Sequence, residues 1–203
     1  MEYVQLTDRD QIEAYLNNHP RLFVYSLGDL EDDFWPHTSW FGALEDGVIR
    51  AVCHIFTAFD TPQIQAVNEP GNEAIFGLLS AIAPELPDEA RIHFGPAAEG
   101  ALAGECDLTN LNSGWKMALQ DRSKLASVDV SHVERLGAGD IDALQRLYES
   151  VHQESEGSHL FHPSMLDVGP YFGTKVDGRI VSTAGVHVYS QRFGVATVAN
   201  VAT

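Results

Sequence analysis

The chain has 203 residues, 44% of them hydrophobic and 20% charged, which is the composition of a globular protein with room for one large or two small domains. Its formal charge of −17 argues against a phosphate backbone as partner, so no nucleic acid is expected. No apolar run approaches the roughly 18 residues of a membrane span and Met1-Glu2-Tyr3-Val4-Gln5 is not a signal peptide, so no membrane contact and a cytoplasmic location are expected.

In chain order, a strand at Tyr3–Leu6 leads into a helix from about Asp10 to Asn17, and then into a loop containing Leu30-Glu31-Asp32-Asp33-Phe34-Trp35-Pro36. A hairpin runs from Phe41 to Phe56, a fourth strand lies near Ile64–Val67, and Pro70-Gly71 precedes a helical stretch from Glu73 to Ile82 with Ile75, Leu78, Leu79 and Ile82 on one face. Arg91–Phe94 reads as a fifth strand and Trp115–Leu119 as a late one. The polar stretch Asp121–Ala126 reads as a linker. Beyond it come a strand around Val128–Leu136, an amphipathic helix from Asp140 carrying Ile141, Leu144, Leu147, Tyr148 and Val151, the stretch Gln153–Ser158, a short helix at His162–Leu166, a second hairpin and the terminal strand Val195–Thr203. The two cysteines, Cys53 and Cys106, are far apart, and the nine histidines form no His-x-x-x-His pair, so neither a disulfide framework nor a metal site is assigned.

The chain repeats itself. Trp40-Phe41-Gly42-Ala43-Leu44-Glu45-Asp46-Gly47-Val48-Ile49 matches Tyr171-Phe172-Gly173-Thr174-Lys175-Val176-Asp177-Gly178-Arg179-Ile180 at a constant offset of 131, and each copy reads as strand, Asp-Gly turn, strand. Upstream, Leu6-Thr7-Asp8-Arg9-Asp10 and Leu136-Gly137-Ala138-Gly139-Asp140 each close a short strand and place an Asp where a helix N-cap is needed. The expectation is a duplicated α/β unit of α+β type built on mixed sheets, with domains at 1–125 and 126–203.

Gly169-Pro170-Tyr171-Phe172-Gly173 through Thr203, centred on Asp177–Val188 and ending in Asn200-Val201-Ala202-Thr203, resembles the tandem GNAT N-acetyltransferases, in which the N-terminal copy is degenerate and the C-terminal copy is catalytic. The resemblance implies two GNAT-like domains of which the second is incomplete, ending where the family's Arg/Gln-x-x-Gly-x-Gly/Ala loop would hold the coenzyme A pyrophosphate. In the first copy that place is taken by Asn68-Glu69-Pro70-Gly71-Asn72-Glu73, whose carboxylates at Glu69 and Glu73 oppose an anion. The family's tyrosine acid would fall beyond residue 203.

The implied chemistry moves an acetyl group from acetyl-CoA, the acyl donor, to a primary amine. The site has to hold the thioester carbonyl and drain a proton from the ammonium. By position, Asn200, Val201, Ala202 and Thr203 would bind the donor through strand backbone. His187, with an ordinary pKa of about 6.5, and Glu156 are the candidate bases. Glu154, His159, Tyr171 and Phe172 are candidates for the acceptor wall. Two other readings stay open: a non-enzymatic degenerate pair acting as an interaction module, and a binder holding an amine on Asp32-Asp33-Phe34-Trp35-Pro36-His37-Thr38-Ser39-Trp40 through carboxylate and cation–π contacts. The partner is a small-molecule or peptide amine, and the uncharged edge at 195–203 makes self-association through that strand a further expectation.

Overall fold

The computed structural model describes residues 1–95, 98–152 and 161–203, apart from the side chain of His152, and divides into two compact units, Met1–Met117 and Ala118–Thr203. Both units are mixed α and β, each with its own sheet.

The first unit runs β1 (Glu2–Leu6), α1 (Arg9–Leu16), α2 (Val24–Gly28), β2 (Thr38–Glu45), β3 (Val48–Phe56), β4 (Gln63–Ala66), α3 (Ala74–Ile82), β5 (Arg91–Phe94) and α4 (Glu99–Leu102). The sheet order is β1-β2-β3-β4-β5, antiparallel except for the parallel pair β4–β5. Strand alternation divides its side chains between two faces. Phe41, Ala43, Ala51, Cys53, Ile55 and Ile64 pack on the Ile75, Leu78, Leu79 and Ile82 stripe of α3. Trp40 and His54 lie on the opposite face, where His54 Nε2 meets Asp29 Oδ2, just past α2, at 2.8 Å.

The second unit runs β6 (Glu134–Leu136), α5 (Ile141–His152), α6 (Met165–Val168), β7 (Tyr171–Val176), β8 (Arg179–Ser190) and β9 (Val195–Ala202), in the antiparallel order β6-β7-β8-β9. Leu136, Leu144, Tyr148, Tyr171, Ile180 and Ala202 form its core, with Leu147, Phe161, Met165 and Leu166 against them.

The two hairpins have identical pairing. Trp40 stands opposite His54 and Tyr171 opposite Gly185, the register slips after Ala43 in one and after Thr174 in the other, and both turns hold positive φ at Asp46-Gly47 and at Asp177-Gly178. Leu6 faces Trp40 as Leu136 faces Tyr171. The correspondence extends to a close approach: a Cβ on Gly42 would lie 2.8 Å from Leu6 Cδ1, and one on Gly173 would lie 2.8 Å from Leu136 Cδ1.

In the first copy Asp8 caps α1 as expected, accepting the Gln11 N–H at 3.1 Å. Three expectations need correction. In the second copy Asp140 is not the cap but acts one turn in, taking the Gly137 N–H at 3.0 Å and the Lys175 ammonium at 2.8 Å. The strand expected around Val128–Leu136 is only Glu134–Leu136, which pairs with Tyr171–Gly173, and Val128 and Val130 are exposed. Trp115–Leu119 alternates like a strand but pairs with none among the described residues, leaving Trp115 92% exposed.

Candidate functional site

The second unit gathers its polar chemistry where β9 breaks step. Gly185 pairs with Ala199 and Thr183 with Ala202, so Asn200 and Val201 together stand opposite Ala184 as a bulge, with Asn200 at φ 51°. Asparagine tolerates that left-handed conformation better than most side chains. Asn200 Nδ2 donates to the Tyr171 hydroxyl at 2.7 Å and also meets Met165 Sδ at 3.4 Å, while the Asn200 carbonyl accepts from the Tyr148 hydroxyl. The Phe161 ring stacks on Tyr148 at 5.1 Å and meets Tyr171 edge-on at 5.7 Å.

Burial, aided by the neighbouring phenol of Tyr171, pushes the Tyr148 pKa well up, and burial also raises Tyr171, which the Asn200 amide partly offsets. Both phenols therefore stay protonated at neutral pH and serve as fixed hydrogen-bonding groups. Asn200 Oδ1 is buried with no hydrogen-bond partner among the described residues.

The residues singled out from the sequence scatter around this point. Asn200 and Tyr171 come together, and Ala202 is buried in the same core, whereas Val201 is 68% exposed. Phe172 is Tyr171's strand neighbour and so takes the other face, where it is exposed; the two do not line one wall. His187 sits in β8 at a register slip between Val186 and Val188, opposite Val198 and Thr197. Glu154, Glu156 and His159 lie outside the described residues. The pattern Gln-x-x-Gly-x-Ala does occur, at Gln191–Ala196, but as the turn joining β8 to β9. A strand follows it rather than a helix, and two of its N–H groups are already used, by Ser190 Oγ for Phe193 and by the Gln191 carbonyl for Gly194.

In the first unit the equivalent places are occupied by the protein's own groups. Past β4, the Asn68 side chain takes the Val52 N–H at 3.3 Å and donates to the Val52 carbonyl at 3.0 Å, as another strand would; the Tyr15 hydroxyl joins it at 3.1 Å. At the start of α3, Asn72 Oδ1 accepts the Ala74 N–H and its amide donates to the Arg50 carbonyl, while Glu69 pairs with His19. The aromatic and acidic segment after α2 already holds a cation: Arg9 bonds Asp32 at 2.7 Å and the Leu30 carbonyl, and its guanidinium lies 5.6 Å from the Trp35 ring centre. Of the segment expected to hold an external amine, Asp32 and Trp35 are thus engaged by Arg9.

Sequence reasoning missed Tyr148 and Met165 as parts of the site, treating Tyr148 as core. A phenol on the apolar stripe of a helix was the available signal, since a buried Tyr oxygen needs a partner. Among the described residues no three His, Cys, Asp or Glu side chains come together as a metal site, and no helix is long and apolar enough to cross a membrane. No protein-family model matches the chain, and neither does any curated protein.

Proposed function

We propose that the second unit is the acyl-transfer half of a GNAT-type N-acetyltransferase, taking an acetyl group from acetyl-CoA to a primary amine, and that the first unit is its non-catalytic copy. The observation that carries this reading is the bulge at Asn200 and Val201, placed in the strand that the family resemblance assigns to the donor. Acetyl-CoA supplies a thioester-activated acetyl group and an amide-bearing arm.

The described residues suit the arm and not the pyrophosphate. Among the described residues β9 pairs β8 alone, and the backbone N–H and C=O groups of its other edge suit an extended ligand. Tyr148 and Tyr171 fix the backbone and side chain of Asn200 through their hydroxyls, holding the bulge in one geometry. For a pyrophosphate there is no helix N-terminus behind the Gln191–Ala196 turn, and in the first unit Asn72 fills the start of α3. The reading of the first unit as a non-catalytic copy is supported by the Asn68, Asn72 and Arg9 contacts, which use groups a ligand would need.

The test is a titration of 15N-labelled protein with S-acetylpantetheine and with acetyl-CoA, followed by mass spectrometry of added primary amines. The expected result is that both donors shift the Asn200–Thr203 amides with similar, weak affinity, and that this chain by itself accumulates little or no N-acetylated amine. Unchanged β9 amides, or tight binding that only acetyl-CoA shows, would overturn the proposal.

A further inference from the structure

The chain has three lysines, Lys116, Lys124 and Lys175, and their ammonium groups stand in three different settings. Lys175 lies between two carboxylates, 2.8 Å from Asp140 Oδ1 and 3.3 Å from Glu134 Oε1. Its bond to Asp140, aided by Glu134, holds its pKa above the ordinary lysine value. Lys124 is exposed on the turn Arg122–Leu125. Lys116 Nζ donates to the Leu22 carbonyl at 2.6 Å and stands 4.9 Å from the centre of the Tyr25 ring in α2. Among the described residues no carboxylate forms an ion pair with Lys116.

We propose that Lys116 is the lysine of this chain that acyl thioesters modify, its side-chain amine becoming an Nε-acyl amide. The neutral Nζ attacks the thioester carbonyl carbon, the C–N bond forms, and the C–S bond breaks; the surplus proton on nitrogen leaves with the thiolate as the thiol. The geometry suits that step. A neutral amine can keep one N–H on the Leu22 carbonyl, which holds the side chain in place, and still carry its lone pair on nitrogen. Lys116 is exposed as a residue, so a donor can reach it. The reaction needs no catalyst and does not rest on the acyl-transfer reading of the second unit.

Two effects compete at this amine. The Leu22 carbonyl and the face of Tyr25 both favour the cation, while the protein atoms that crowd the ammonium displace part of its water and favour the neutral form. Loss of water wins, and burial lowers Lys116 from the ordinary lysine value of 10.5 to about 8. At neutral pH that raises the share of the reactive neutral form by on the order of a hundredfold. Intrinsic nucleophilicity falls with basicity by only part of that gain, as it does for thiols, so a net preference for Lys116 is left. At Lys175 the two carboxylates act the other way and keep the amine protonated.

Initial rates of lysine acetylation by S-acetylpantetheine on the full chain, read by peptide mass spectrometry, are the experiment. Near neutral pH Lys116 is acetylated at least about tenfold faster than Lys124 and Lys175. Its rate climbs to about pH 8 and flattens beyond, while that of Lys175 still climbs. It also rises linearly with donor concentration. In concentrated urea the three lysines react alike, because the contacts with Leu22 and Tyr25 are gone. Tyr25→Glu sets a carboxylate beside the ammonium and slows Lys116 severalfold without changing Lys124. Equal rates for the three lysines in the folded protein overturn the proposal, as does a preference for Lys116 that survives urea or a folded Tyr25→Glu protein with unchanged Lys116 reactivity. A rate that saturates with donor places the transfer in a bound complex and also overturns it. If Tyr25→Glu loses its cooperative unfolding transition, the wild-type pH profile decides: a Lys116 rate that climbs in parallel with that of Lys175 across the alkaline range refutes the proposal.

Discussion

An added Cβ at Gly173 would stand 2.7 Å from the Ser182 carbonyl oxygen as well as 2.8 Å from Leu136 Cδ1, whereas at Gly42 the close atoms all belong to the Leu6 side chain. A leucine end can rotate away and a paired strand cannot. Gly173→Ala should therefore cost about 1–3 kcal/mol and Gly42→Ala clearly less, compared by thermal melts; equal costs would mean that the strands at Gly173 yield. The tyrosines give a pH signature with a definite sign. Burial pushes Tyr15 up to about 12, and Tyr148 and Tyr171 are also raised. In the unfolded chain a phenol titrates near about 10, so folding favours the neutral form. This contribution is fully present below about pH 10 and is lost as pH climbs through the raised folded values. Tyr148→Phe should flatten the alkaline fall in stability and, by removing the bond to the Asn200 carbonyl, cost about 1 kcal/mol at neutral pH. Denaturant melts across the alkaline range, read beside tyrosinate absorbance, measure both, and an unchanged alkaline slope in the variant would refute the assignment.

Elements were legible where local pattern and pairing partner agreed. The Asp-Gly turns carry their own geometry, so both hairpins could be read from the sequence down to the repeat, and the four-residue apolar stripe of α3 marked its buried face. Pattern alone failed at Trp115–Leu119 and Val128–Val133, which alternate in part like strands yet pair with none among the described residues. Alternation states which face a strand would bury; it says nothing about whether a partner exists. The five-residue α2 was missed because it has no side-chain cap and is too short for a repeating stripe. The bulge at Asn200 was illegible for a related reason: it depends on a slip between two strands, and the residues on either side read as an unbroken apolar run. Asn68 shows a side chain substituting for an element. Its amide completes the bonding of Val52 past the end of β4, so Asn68→Ala leaves a buried N–H and a carbonyl without partners. The expected loss is about 1–3 kcal/mol for each orphaned group, and Asn68→Asp, which can accept but not donate, should fall between wild type and alanine in a denaturant melt.

The whole chain is joined by a stretch that neither unit orders into strands. Between Asp107 and Val133 the described backbone contains one short turn of 3-10 helix, Arg122–Leu125, and its apolar side chains Trp115, Met117, Leu119 and Leu125 are exposed. Three cationic residues lie in it, and they are not equivalent. Lys116 is tied down, its ammonium donating to the Leu22 carbonyl at 2.6 Å and lying 4.9 Å from the Tyr25 ring centre. Arg122 and Lys124 are exposed on the turn, with no strand or long helix holding their backbone. Proteases cut where backbone can be drawn out locally without breaking a sheet. Brief trypsin treatment under native conditions should therefore cut first after Arg122 or Lys124, ahead of Lys116 and well ahead of Arg50 and Arg179, which sit in paired strands. Mass spectrometry of the earliest products gives the order. A first cut after Arg50 or Arg179 would mean that a sheet opens more readily than the connection, and an early cut after Lys116 would mean that its contacts with Leu22 and Tyr25 hold nothing in place.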